Sequence, residues 1–253
     1  MRVIFGLIST IYSLRVHSGL EADANRLARC HGIDMSKLTI STTHTLYSDG
    51  KLTPLQLTEC YIARINSLNP TLKAVLEMNP HASEWALPLG SNVSNKPLFG
   101  IPVLVKGSIG VKSLRASAGA AALESNVRDD ADIIKKLREA GAIILGTSNL
   151  SELSGSRSYE APEGWSQLGG QTLNPYNLNA SIFGSSSGSA VAVIADLALV
   201  ALGTETLGST IAPASCAMVM GFKPTYSWTS TEGIIPMAPT LDTVNGYLIN
   251  SYL

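Results

Sequence analysis

The side chains with the most chemical potential in this 253-residue sequence are a lysine at the end of an apolar run and serines crowded between glycines. Ile101-Pro102-Val103-Leu104-Val105 reads as a buried strand that ends at Lys106. Gly184 to Ser189 reads Gly-Ser-Ser-Ser-Gly-Ser, and Gly203 to Thr210 reads Gly-Thr-Glu-Thr-Leu-Gly-Ser-Thr, with an apolar stretch between them. Small residues at a helix entrance let backbone N–H groups converge into an electropositive nest that suits an anion or an oxyanion. Serine is a weak nucleophile until a neighbouring base takes its proton. His17, His31, His44 and His81 all fall in the first third of the chain, far from these serines, so a histidine-based dyad has little support. The remaining base is a lysine held neutral by burial, and Lys106 at the tip of its apolar strand is placed for that role. A phosphate loop would need GxxxxGK[ST], which is absent. A flexible Ser/Gly linker is disfavoured because buried-type elements flank the segment on both sides.

The elements that must position these groups follow an α/β rhythm. Thr53 is placed to cap a helix with Pro54 in its first turn; Leu55, Leu57, Tyr61, Ile62 and Ile65 supply the apolar spacing, and the helix is expected to stop before Asn69-Pro70. Ala74 to Met78 is a short strand, and Lys106 ends the next one. Asp130-Ala131-Asp132 opens a helix through Ile133, Ile134 and Leu137 that Gly141 closes, and Ala142 to Leu145 forms a strand before Gly146. Strand, helix and strand alternate as parallel sheets require. Residues 155–179, rich in Gly, Ser, Asn and Pro, are expected to be irregular and laid over a sheet edge or near a site. Ala190 to Leu202 reads as a buried core helix.

Composition narrows the function. The chain is 45% hydrophobic, enough for a sizeable core, and one globular domain is the default. Charged residues make up 15% and the net charge is −1, so no basic excess points to nucleic acid or anionic lipid, and a small, weakly charged substrate fits better. Cys30, Cys60 and Cys216 are odd in number, widely spaced and without a CxxC pattern; neither a disulfide framework nor a zinc site is expected, and they read as buried or incidental thiols. Val3 to Leu14 follows Arg2 and resembles a weak signal peptide, which leaves secretion and the cytoplasm both open, and the run is too short to span a bilayer.

Residues 99–109, 130–152, 169–177, 184–215 and 221–227, in that order, resemble the amidase signature family, and most closely its peptide-amidase-like and fungal amidase branch. The resemblance implies an α/β fold with a mixed β-sheet core flanked by helices. It also implies an amide-bond hydrolase acting on linear C–N bonds through a Ser-Ser-Lys relay and an acyl-enzyme intermediate, with no cofactor and no metal. Carried over by position, Ser209 matches the nucleophile, Ser185 the bridging serine and Lys106 the base. The backbone N–H groups of Thr206, Leu207, Gly208 and Ser209 match the oxyanion hole, where such donors are worth about 3 kcal/mol each. A cis Gly184–Ser185 peptide is implied as well. The same serines and lysine would otherwise read as helix caps and a snorkelling side chain.

The resemblance covers the N-terminal portion of that family. It implies an extension over residues 1–35, a partial domain over 36–253 that lacks the C-terminal half, and an exposed sheet edge open to association. Several residues depart from the family pattern. Gly107 and Leu207 stand where aspartates are usual, Thr147 where lysine is common, and Leu241 and Asn245 where Gln and Gly are usual. The first two are expected to reduce activity, and the drift is expected to touch loops more than the core. A degenerate, non-catalytic relative is one alternative. A glutamine-dependent amidotransferase component is another, but it would carry arginine where Ile211 stands.

Overall fold

The structure, a computed structural model, describes residues 25, 27–90, 95–126, 128–158 and 160–248. The apolar run Val3 to Leu14 lies outside the described residues. In chain order the fold opens with a two-stranded hairpin, β1 (Arg29–Cys30) and β2 (Ile33–Asp34), followed by α1 (Ile40–Ser48) and α2 (Pro54–Leu72). Next come β3 (Val75–Met78), α3 (Ala82–Ala86), β4 (Pro102–Lys106), α4 (Asp132–Glu139) and β5 (Ile143–Ser148). A small hairpin, β6 (Trp165–Ser166) and β7 (Gly170–Gln171), sits inside the irregular segment. The chain then forms α5 (Ser187–Ile194), β8 (Val200–Glu205), α6 (Ile211–Ala217), β9 (Met220–Phe222) and β10 (Thr243–Leu248).

Six strands make one mixed sheet in the order β3-β5-β4-β8-β10-β9. β5, β4 and β8 are mutually parallel at its centre; β3 at one edge and β10 and β9 toward the other run antiparallel to their neighbours. Side chains alternate across the strands, and the sheet divides two cores accordingly. Leu104, Ile143 and Leu145 face the core made with α2 and α5, whereas Val103, Val105 and Ile144 face the one made with Ile134 and Leu137 of α4. Lys106 lies two residues beyond Leu104, so the pleat turns it toward α5.

The entry to α2 forms as the sequence dictates, with Thr53 capping Gln56 N–H, Gln56 returning the bond, and Pro54 in the first turn. Its exit differs. The helix runs through Pro70 to Leu72, because the last turn keeps the Lys73 N–H to Asn69 carbonyl bond and buries Leu68 and Leu72, which outweighs the bond proline cannot donate. β5 likewise continues past Leu145 to Ser148, where pairing with both β3 and β4 extends it.

The expected helix over Ala190 to Leu202 is instead two elements. α5 ends at Ile194, Asp196 takes a left-handed conformation (φ 53°), and β8 begins at Val200. A continuous apolar run suits a buried strand as well as a buried helix, and Asp196 marks the break. Burial pushes the Asp196 carboxyl up to about 6, against the pull of Arg64, whose guanidinium lies 3.7 Å away and also donates to Ala195 O at 2.9 Å. That pair ties the end of α5 to α2.

The cysteine expectation is corrected too. Cys30 and Cys60 form a disulfide with their Cα atoms 5.7 Å apart, pinning the first hairpin to α2, and Cys216 is free. A separation of 30 residues carries no spacing signal; only the packing of the hairpin on the helix brings the two together. Cys30 and Met35 are buried in the α2 core, so the described fold reaches back across the expected boundary at residue 36. The expected drift into loops is corrected in part: Thr147 is buried in β5 and Asn245 in β10, while Leu241 is exposed in a turn. No helix of the described residues is long and apolar enough to cross a membrane.

Alkylation of the denatured, unreduced chain should modify one thiol, and alkylation after reduction three. Cys60→Ser should lower unfolding stability by roughly 3–4 kcal/mol, the value for closing a loop of this length, measured as a shift in denaturation midpoint.

Candidate active site

The residues of interest gather at the C-terminal ends of the parallel strands, where loops leave the sheet and ligand sites of open α/β sheets form. Lys106 ends β4 and is wholly buried. Its Nζ donates to Ser185 Oγ at 2.7 Å and to Thr204 O at 3.2 Å. An ammonium this deep has little solvent to stabilise its charge, and burial pulls Lys106 down to about 7; Asp242, Glu205 and Glu163 oppose that shift without reversing it.

Ser185 follows a cis peptide from Gly184 and sits just ahead of α5, with Ser186 as its N-cap residue. The start of α5 lies directly on the strand ends. Gly188 permits this approach, since a Cβ there would stand 2.3 Å from Ala74 O and 2.5 Å from the Asn149 backbone. Ser186 Oγ lies between the Thr204 carbonyl and amide, at 3.0 and 3.3 Å, which locks the helix entrance to β8.

Residues 206–209 form the turn from β8 to α6. Ser209 is half-buried, and its carbonyl accepts from Ser186 N–H at 3.1 Å and from Tyr247 Oη at 3.2 Å, so its backbone is fastened beside the Ser185 segment. Among the described residues no hydrogen bond joins Ser209 Oγ to Ser185. The structure therefore brings Lys106 and Ser185 into contact and fixes the Ser209 backbone nearby without closing the third link.

Two carboxylates that spacing alone does not single out hold this turn. Glu205 accepts from Thr210 N–H at 2.7 Å and Ile211 N–H at 3.2 Å, and pairs with Lys223 at 3.0 Å. Burial would push its carboxyl up, but the N–H groups of Thr210, Gly208 and Ile211, with Lys223, outweigh burial and hold it low. Asp242 accepts a hydrogen bond from the Thr206 hydroxyl, and others from Met237 N–H at 2.8 Å and Ala238 N–H at 3.0 Å. The sequence signal for both is only their place, Glu205 inside the Gly203 to Thr210 segment and Asp242 between the departures Leu241 and Asn245.

The departures fall unevenly on this geometry. Leu207 is 89% exposed, so its side chain points away from the turn that its backbone helps form. At Gly107 a Cβ would meet Leu76 Cδ2 at 2.9 Å, so a side chain there would have to displace the flexible end of Leu76. The candidate metal ligands among the described residues are Cys30, His31 and Cys60, within 4.8 Å of one another, but with the two sulfurs bonded only His31 keeps a free ligand atom. A hollow of about 690 Å³ lined by Trp85, Phe99, Arg138 and Ile143 opens at the opposite end of β4 and β5 from Lys106 and takes no part in this arrangement.

A family model described as Amidase matches residues 56–248. An Arabidopsis thaliana protein described as a probable amidase is 41% identical over 229 residues, covering 87% of this chain and 45% of the relative. A glutamyl-tRNA(Gln) amidotransferase component from Dehalococcoides mccartyi is 33% identical over 222 residues, covering 85% and 44%. Among solved structures, the native peptide amidase from Stenotrophomonas maltophilia superposes with a TM-score of 0.81 at 40% identity, covering 84% of this chain and 45% of that one. The chain spans about half the length of the curated relatives it matches.

Lys106 generates a pH signature. Between about 7 and its unfolded value of 10.5, the unfolded chain holds a proton that the folded chain has released, so stability should rise with pH across that window. Lys106→Met should flatten this rise, by up to about 1.4 kcal/mol per pH unit, in denaturation curves taken at stepped pH.

Proposed function

The chain belongs to the amidase family, and on that premise we propose that it hydrolyses linear C–N amide bonds through a Ser209–Ser185–Lys106 relay. The observation that carries this reading is the 2.7 Å contact between a wholly buried lysine and Ser185 Oγ. With its pKa near 7, Lys106 is substantially neutral at neutral pH, and in that form the 2.7 Å contact reverses from its ammonium direction, with Ser185 Oγ–H donating to the Nζ lone pair. Ser185 passes its proton to Lys106 as it accepts one from Ser209, and Ser209 Oγ attacks the amide carbonyl. Backbone N–H groups of the 206–209 turn stabilise the oxyanion; Gly208 N–H also faces Glu205, which makes Thr206, Leu207 and Ser209 the freer donors. The relay then reverses to protonate the departing amine. Water, deprotonated along the same route, releases the acyl group as a carboxylic acid and restores Ser209.

The substrate class that fits is a small or peptide amide, supported by the weak net charge and the likeness to a solved peptide amidase. The amidotransferase reading is weaker, because Ile211 stands half-exposed where that reading expects an arginine. Association through the sheet edge is a further part of the proposal. It is supported by β9, which among the described residues pairs on one side only, and by the exposed Met218, Phe222 and Trp228 around it.

A serine-reactive fluorophosphonate probe should label the folded chain, at a rate that climbs through about pH 7 as Lys106 loses its proton and levels off above. Ser209→Ala should abolish labelling, and Lys106→Met should slow it by about 10²–10⁴-fold, the usual worth of a positioned base. An unlabelled but folded wild-type chain would sink the hydrolase reading in favour of a degenerate relative.

A further inference from the structure

We propose that Glu163 is a positioning residue of this site, holding the Gly184–Ser185 peptide in place through Ser151 and adding a negative charge to the surroundings of the Lys106 amine. The inference rests on the relay reading of Lys106 and Ser185 given above. Glu163 lies in the irregular segment ahead of β6, between the 130–152 and 169–177 motifs and inside neither, and the residue is exposed. Its Oε2 accepts from Ser151 Oγ at 2.9 Å, and Ser151 Oγ accepts in turn from Gly164 N–H at 2.9 Å. The same serine, almost wholly buried, donates its backbone N–H to Ser185 O at 3.0 Å. An unbroken chain of contacts thus runs from the Glu163 carboxylate to the residue that presents its hydroxyl to Lys106.

Close packing confirms that the contact is built rather than incidental. A Cβ at Gly184 would stand 2.0 Å from Ser151 Oγ and 2.4 Å from Glu163 Oε2, so both oxygens press directly on the peptide that precedes Ser185. Only a residue without a side chain lets them do so. The charges that reach Lys106 are Asp242, Glu205 and Glu163. Asp242 is engaged with Thr206 and two backbone amides, and Glu205 is paired with Lys223. Glu163, the weakest of the three influences on Lys106, has no cation within salt-bridge distance among the described residues, and solvent screens its charge.

The test compares wild type with Glu163→Gln, Glu163→Ala and Ser151→Ala, each checked for fold by circular dichroism. It reads the pH dependence of fluorophosphonate labelling and, independently, the Lys106 titration by NMR of lysine side-chain signals, assigned with Lys106→Met. Glu163→Ala and Ser151→Ala should label about ten-fold more slowly on the alkaline plateau, while Glu163→Gln, still able to accept the Ser151 hydrogen bond, should stay within about three-fold of wild type. Both Glu163 variants should move the Lys106 midpoint down by about half a pH unit, less at high salt, and Ser151→Ala should leave it in place. A Glu163→Ala chain that labels and titrates like wild type would overturn the proposal. If no chain labels, the hydrolase reading fails, and the Lys106 midpoint alone decides: a downward move in Glu163→Gln supports the inference and an unmoved one overturns it.

Discussion

A lysine amine sealed inside a protein needs a hydrogen-bond partner and a way to exist without its charge, and the arrangement around Lys106 supplies both. Ser185 Oγ and Thr204 O receive its hydrogens, and burial brings its pKa to about 7. The strand before it, Pro102 to Val105, is buried throughout, so Lys106 cannot swing to solvent without unpairing β4 from β5 and β8. What surrounds the lysine must therefore come to it. The segment leading into α5 does so through Ser185, and β8 does so through the Thr204 carbonyl. A buried group left unpartnered costs several times what its hydrogen bond contributes, so the geometry of this end of the sheet is tightly constrained.

That constraint organises the second layer. Ser186 bridges the Thr204 amide and carbonyl, Tyr247 on β10 reaches the carbonyls of Ser209 and Thr210, and Glu205 and Asp242 hold the turn from its two ends. These contacts fix backbone direction, which is what an oxyanion site requires, since its donors are main-chain N–H groups. The Leu207 side chain takes no part in this fastening, since it lies in solvent.

The opposite face of the sheet and the first hairpin serve stability. α4 covers Val103, Val105 and Ile144, and the Cys30–Cys60 bond fastens the hairpin to α2. The Arg64–Asp196 pair joins α2 to the end of α5, so the helix that presents Ser185 is held at both ends, by strand contacts at its start and by a buried ion pair at its finish. Exposed large apolar side chains concentrate between residues 207 and 248, on the side of the sheet that ends at β9.

Much of this was legible in the residues themselves. Apolar periodicity located α2, α4, β4 and β5, Thr53-Pro54 marked a helix entry, and five ordered motifs carried the family, because local propensity and pattern act over a few neighbouring residues. Lys106 and Ser185 were likewise identifiable from type and motif. Tertiary structure alone decided the rest, for a common physical reason: each case depends on contacts between residues distant in the chain. Residues 190–202 read as one apolar run, and only burial of both a helix and a central strand splits it at Asp196. Pro70 stays inside its helix because Leu72 finds a core to fill. Cys30 meets Cys60 across 30 residues, Lys106 meets Ser185 across 79, and the depressed lysine, the Asp242 clasp on Thr206 and the reach of Glu163 toward Ser185 arise only where the folded sheet brings them together.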